Sequence, residues 1–194
     1  AIWATGFKEG VRLEDPPPMP TDPVMRWTNL DYIAKINDHS FRHTFFGGEA
    51  FPIWTGGYPG HTAIPSFLGC PTTLDLNTGW WDPILTGEDF DARSLHIDRE
   101  GNWWKFTISM LKRAVAEARG KSIPSTGAFG GCGDTLAALR GSDRLLYDVM
   151  DRPERVREAE KYFMDMWFEV FDEFYAITHE AAEGSGGWFP LWAP

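Results

Sequence analysis

Three short stretches hold the side chains whose types could carry chemistry. In "WTGGYPGH", Trp54, Tyr58 and His61 share one glycine-rich loop. An imidazole carries protons near neutral pH, and the two aromatic rings suit a ligand wall. In "GGCGDTLAALR", Cys132 and Asp134 precede Arg140. In "GGWFPLWAP", Trp188 follows two glycines. Asp134 and His61 are the candidate catalytic residues. Trp54, Tyr58, Arg140 and Trp188 are the candidate substrate contacts.

Each of these residues also has a structural use. Asp134 has the chemistry of a helix N-cap. His61 suits a solvated or locally bonded loop position. Arg140, before a glycine at a helix end, suits the last carbonyls or a nearby carboxylate. Trp54 and Trp188 can pack an interior instead of facing a ligand. His39 and His43 have the i, i+4 spacing that can chelate a metal, but no acidic or cysteine partner stands near them. They read as a helix-surface pair. The carboxylates of "GEDFDAR" read as a solvated loop, and P-loop, GxGxxG and HExxH signatures are missing.

The elements that must position these residues alternate along the chain. "AIWATG" reads as a first strand, followed by the proline-rich loop "FKEGVRLEDPPPMPTDP". A helix is expected over "MRWTNLDYIAKINDHSFRHTFFGG", with Ile33, Ile36, Phe41 and Phe45 on its apolar face. "EAFPIWTGG" is the second strand. The region from Thr72 to Asn102 is irregular, with a possible hairpin in "LHIDREGNWW". "WWKFTISMLKRAVAEARG" is a helix whose face carries Phe106, Ile108, Met110, Leu111 and Val115.

"SIPSTGAF" is the third strand, and two short helices follow in "DTLAALRG" and "SDRLLYDVM". A long helix then begins at a capping box formed by Asp151 and Glu154, with Pro153 in the first turn. Its apolar stripe runs Val156, Ala159, Phe163, Met166, Trp167, Val170, Phe174. "GGWFPLWAP" is the fourth strand. Strand–helix alternation argues for parallel βαβ units, and four such units are half of an eight-stranded (β/α) barrel. In that architecture the site lies beyond the carboxyl ends of the strands.

Composition narrows the function classes. The chain has 194 residues, an ordinary 43% apolar content and a surplus of aromatics, including 10 Trp and 14 Phe. A net charge of -10 argues against a nucleic-acid partner, which needs clustered Lys and Arg. No run has the length of a membrane span. Two cysteines, Cys70 and Cys132, make no disulfide framework and suit a reducing, cytoplasmic setting.

The segment "GAFGGCGDTLAALRGSDRLLYDVMDRPERVREAEKYF" resembles the uroporphyrinogen decarboxylase superfamily. "FGGEAFPIWTGGYPGHTAIPSFLG" is similar to the preceding strand and loop of uncharacterised members. The resemblance implies a (β/α)8 TIM-type barrel, of which this chain would supply about four units as one partial domain over 1–194. It also implies one of two chemistries. True decarboxylases carry an arginine-rich loop near their start, an aspartate at the end of the second strand and a tyrosine after the third. Here those positions hold the acidic "FKEGVRLEDPPP", Gly56 or Gly57, and Leu139, so porphyrinogen decarboxylation is disfavoured.

The other branch consists of zinc-dependent methyltransferases that work with corrinoid proteins. Its ligands, an HxC pair and a later cysteine, come from the second half of the barrel, outside this chain. The expected function is therefore a zinc- and corrinoid-linked methyltransferase acting on a small molecule. A decarboxylase (a lyase) of a related acid and a non-catalytic binding module are the alternatives. As partners, the resemblance implies a corrinoid protein and either the missing half-barrel or a second copy.

Overall fold

A computed structural model describes residues 2–187 and 192–193. In chain order the elements are β1 (Trp3–Phe7), α1 (Pro23–Thr28), α2 (Leu30–His43), β2 (Thr44–Gly48), β3 (Ile53–Trp54), α3 (Ile64–Phe67), β4 (Thr72–Leu74) and β5 (Gly79–Trp81). They continue with α4 (Asn102–Ala118), β6 (Ile123–Pro124), α5 (Cys132–Arg140), α6 (Ser142–Asp151), α7 (Pro153–Ala182), β7 (Ser185–Gly186) and β8 (Trp192–Ala193). The chain is a mixed helix–strand protein. It divides into two compact units: Ala1–Gly57 with Ile108–Gly127 and Phe174–Pro194, and Tyr58–Thr107 with Ala128–Glu173.

The first unit contains the parallel strands. Ile53 and Trp54 of β3 pair in parallel with Ile123 and Pro124 of β6. Ser125 then bridges Gly186 of β7, also in parallel. The order β3–β6–β7 therefore follows the chain. Proline in a middle strand would normally break a ladder. Here Ile123 N donates to Pro52 O (2.9 Å) and Ser125 N to Trp54 O (3.1 Å), whereas Thr126 N donates to Gly186 O (3.0 Å) on the other side. Backbone groups alternate sides, so the missing N–H of Pro124 faces β7 one step before its first residue. Nothing is lost there.

The helices around this sheet pack by small residues and one amide. Leu111, Ala114 and Ala118 of α4 are fully buried. The sequence places Ile108 and Val115 on that face too, but both are only half-buried. Gly56 lies against Met110, whose Sδ takes the space that a Cβ would need. Gly57, at φ +83°, lies on Trp27, with Cζ3 2.5 Å from the same virtual atom. Asn37 of α2 is 6% exposed, and its carboxamide pins the chain just after β3. Nδ2 donates to Thr55 O (2.8 Å) and to Ile33 O (2.8 Å), and Oδ1 accepts from Thr55 N (3.1 Å). The side chain thus acts as a one-residue strand partner.

Two expected strands are corrected. The "AIWATG" segment forms β1, but β1 is exposed at all five residues and pairs antiparallel with β2. It is one side of a two-stranded ribbon outside the parallel set. β2 itself takes Thr44–Gly48 out of the expected helix, which ends at His43 and is interrupted at Asn29. Asn29 Oδ1 caps α2 by accepting from Asp31 N and Tyr32 N. At the C-terminal end, the strand parallel to β6 is Ser185–Gly186, and Trp192–Ala193 returns antiparallel to it. Residues 188–191, including Trp188, lie outside the described residues; among the described residues three parallel segments stand where four strands were expected.

The second unit is mainly helical. Leu136 and Leu139 of α5 and Phe163 and Val170 of α7 are fully buried, as is Phe67 of α3 to within 1%. The long helix begins at Pro153 as its sequence predicts, but Asp151 is the last residue of α6 and not a cap. Glu154 pairs instead with Arg157. The irregular region contains an unforeseen hairpin, β4–β5. Asp75 Oδ1 closes its turn by accepting from Asn77 N (2.7 Å) and Thr78 N (2.8 Å), which lowers the carboxyl's pKa. The "LHIDREGNWW" stretch is not a hairpin; it leads from a 3₁₀ turn at Ala92–Ser94 directly into α4.

Asn37→Ala should lower stability by about 2–4 kcal/mol, since it strands the Thr55 N–H and C=O together. Asn37→Asp keeps the acceptor for Thr55 N but turns a carboxylate oxygen onto the carbonyls of Thr55 and Ile33, so in urea unfolding at about pH 7 it should cost at least as much as Asn37→Ala. An Asn37→Asp variant as stable as the unsubstituted protein would mean that Asn37 acts through packing volume alone.

Candidate functional site

The carboxyl ends of parallel strands are where α/β folds place ligands. In the first unit these ends are Thr55–Gly57, Ser125–Gly127 and Gly187. Their hydroxyls point into the local backbone. Thr55 Oγ1 accepts from Gly57 N (3.1 Å), and Ser125 Oγ accepts from Gly127 N (3.0 Å). Thr126 Oγ1 donates to Gly186 O (3.4 Å). Ser125 and Thr126 are each 4% exposed. Trp54, at 2% exposure, is buried at the end of β3, and its indole N–H has no acceptor among the described residues. A buried indole normally finds one. Hydroxyls, glycines and an indole can bind a polar group; they do not exchange protons near neutral pH.

The other candidates fall in the second unit, in unlike surroundings. His61 is fully buried, edge-on to Trp103 (centroids 5.3 Å) and tilted against Phe106 (5.2 Å). The solvated-loop alternative for His61 is thereby corrected: the Gly57–Gly60 turn sends the chain inward, and residues 61–68 form a buried run. Tyr58 is half-buried. Asp134 is exposed in the first turn of α5, and the N-cap is Gly131, not Asp134. Its carboxylate sits two residues inside the helix start, where it still complements the helix dipole.

Arg140 is turned inward. Its guanidinium donates from Nε to Asp148 Oδ2 (2.6 Å) and from Nη1 to Leu85 O and Gly87 O (2.6 Å each). Its Cζ lies 4.7 Å from the centroid of Phe90. Arg140 and Asp148 side chains are 5% and 6% exposed. The Arg140 donors are committed to protein acceptors, which is the structural use its sequence position allowed.

The "GEDFDAR" carboxylates are exposed as expected. Asp89 Oδ1 meets Arg155 Nη1 at 3.1 Å, and Arg152 lies 3.7 Å from Glu88. Around them is a cleft of about 230 Å³ in which Asp89, Asp91 and Glu158 face Arg93 and Arg155. These charges offset one another across the cleft.

Neither cysteine is activated. Cys70 is buried and donates to Asp82 O (2.9 Å); burial, then the nearby Asp82 charge, push its thiol up to about 11 from the ordinary 9.0. Cys132 is also raised, by burial and then by Glu160. Both shifts disfavour the thiolate that nucleophilic or zinc chemistry needs. Among the described residues no group of three or more His, Cys, Asp or Glu side chains is placed to hold a metal ion. A zinc ion does not fit the donor set that these residues provide. No helix is long and apolar enough to cross a membrane among the described residues.

Sequence reasoning missed Asn37; for Arg140 it offered a nearby carboxylate without naming Asp148. A signal existed for the first: an asparagine one turn after Ile33, on the buried stripe of α2. No family model matches this chain, and neither a curated protein nor a solved structure matches it.

Asp148→Asn should cost about 3–5 kcal/mol in urea unfolding, since it leaves the Arg140 charge buried without its counter-ion. A loss under 1 kcal/mol would place the pair in effective contact with water. The raised Cys70 pKa gives a second expectation. Between about pH 9 and 11 the folded protein keeps a proton that the unfolded chain releases, so stability is present below this window and falls across it. Cys70→Ala should make that alkaline decline shallower; an unchanged slope would assign it to other groups.

Proposed function

We propose that this chain belongs to an α/β barrel of the uroporphyrinogen decarboxylase type that acts on a small molecule at the carboxyl ends of its parallel strands. The observation that carries the reading is the chain-ordered parallel pairing β3–β6–β7, with helices in both intervening connections. Chain-ordered parallel neighbours are the repeating relation of a (β/α) barrel. The polar, glycine-lined strand ends support a binding role for Thr55, Ser125 and Thr126. The unsatisfied indole N–H of Trp54 supports a ligand with an acceptor oxygen.

Methyl transfer linked to zinc and a corrinoid protein is the preferred chemistry within that reading. Decarboxylation of an acid requires cationic side chains to hold carboxylates. The basic candidate for that task, Arg140, is bonded to Asp148 and two carbonyls. Zinc ligands for the methyltransferase reading must come from outside the described residues, and a corrinoid protein would be the methyl-donor partner. Trp188 remains a proposed aromatic contact of the ligand.

The test is methyl transfer from methylcobalamin to a small thiol, read as thioether formed, with zinc quantified on the same protein. The expected result is thioether formation that depends on zinc and weakens about tenfold in Trp54→Phe, which deletes the indole donor; because the change also removes buried ring volume, urea unfolding of the variant separates a lost donor from lost packing. Release of CO2 from a carboxylic acid substrate without thioether formation would replace methyl transfer by decarboxylation. Neither product, with aromatic ligands still quenching tryptophan fluorescence, would favour the binding module.

A further inference from the structure

We propose that His39 and His43 form a pH-sensitive clasp that holds the proline-rich segment against the C-terminal end of α2 and releases it when His43 gains a proton. The inference concerns the chain's own conformation and does not rest on the reading of its chemistry.

Residues 8–22 connect β1 to α1 without regular structure, and nearly all of them are exposed. Four prolines stiffen this strap and remove backbone donors, so it has few ways to bond to the protein. Lys8 N donates to His43 O (2.9 Å), and at the far end Asp22 caps α1. Between those points the strap is held at Glu14. His39 Nε2 lies 3.0 Å from Glu14 O, and Glu14 N lies 3.4 Å from His43 Nε2. Two imidazoles therefore grip both backbone groups of one residue.

The bonding pattern fixes the protons. His43 Nδ1 lies 2.7 Å from His39 O, and a carbonyl only accepts, so Nδ1 carries a hydrogen. Nε2 of His43 must then be the acceptor for Glu14 N–H, which requires a neutral ring. His39 Nε2 must be a donor to Glu14 O, which either its neutral or its charged form allows. Protonating His43 puts a hydrogen on Nε2 that faces another hydrogen on Glu14 N. One half of the grip is lost. The two rings are 4.2 Å apart, so charging both adds repulsion between them.

The surrounding charges set how readily this happens. On α2 they are Asp38 and Arg42, paired with each other, and Lys35 one turn before His39. On the strap they are Lys8, Arg12, Glu14 and Asp15; the Glu14 carboxylate is close enough to act on Arg42. β2 continues from the helix with Thr44, Phe45 and Phe46, which carry no charge. Because the grip is made by neutral His43, it is present at higher pH and lost as pH falls through the His43 titration.

The experiment is amide exchange and chemical-shift NMR of the whole chain from about pH 8 to about pH 5, with the His39 and His43 ring protons followed in the same samples. Protection of the Glu14 amide, corrected for intrinsic exchange, should fall about tenfold with the midpoint of His43. His39→Gln retains a donor for Glu14 O without a titrating ring, so its Glu14 amide should still follow His43. His43→Phe retains the ring volume without nitrogen and should show low protection at every pH. Protection that is flat across the His43 titration, or that follows a carboxylate or His39 instead, would overturn the proposal. The wild-type and His39→Gln profiles decide the matter even where His43→Phe fails to fold.

Discussion

The second unit is organised around one buried charge. Arg140 ends α5, and its guanidinium has to be neutralised and fully hydrogen-bonded to stay in an interior. Asp148 of α6 supplies the charge, and the carbonyls of Leu85 and Gly87 take the remaining donors on one side. Phe90 covers the flat face of the cation. Two adjoining helices and a loop that precedes them by 53–55 residues must therefore meet at fixed positions. The backbone adds to this, since Ile84 N and Leu85 N both donate to Leu139 O. Such a pair contributes little net stability compared with an apolar replacement, but it leaves few alternative arrangements of the α5–α6 turn.

In the first unit the corresponding constraint is close approach. β3 is only two residues long, too short to hold a strand end in place by itself. Gly56 and Gly57 allow Met110 and Trp27 to touch the backbone beyond it, and Asn37 supplies the hydrogen bonds that a neighbouring strand would give. The loop that follows β3 thus leaves from a fixed point. The same logic explains the strand-end hydroxyls: Thr55, Ser125 and Thr126 each bond to backbone within one or two residues or across to β7, which shapes the rim before any ligand arrives.

The candidate residues divide by what surrounds them. A histidine inside a ring of aromatic side chains, an exposed aspartate on a first helical turn and an internally paired arginine have different tasks, although one short motif carries two of them. Trp54 and the strand-end hydroxyls answer to sheet geometry instead. Function in this chain is therefore best sought where the parallel strands end, and structural order where the charged pair is buried.

Much of the element order was legible in the sequence itself. The periodic apolar stripe of α7, with Pro153 in its first turn, determines a long helix whatever packs against it, and Val156, Ala159, Phe163, Met166, Val170 and Phe174 are all buried. The strands at Ile53–Trp54 and Ile123–Pro124 follow from short apolar runs bounded by glycine and proline. Local signals end there. Whether "AIWATG" joins the parallel sheet or an exposed ribbon depends on which strand it meets, and that partner, β2, lies 40 residues on and reads as helix by periodicity. Arg140 has the same sequence context whether it faces substrate or Asp148; only the return of α6 and the 85–87 loop to its side decides. Residue types set what each side chain is able to do, and tertiary contacts set which of those abilities is used, because burial and hydrogen-bond partners are properties of the assembled chain.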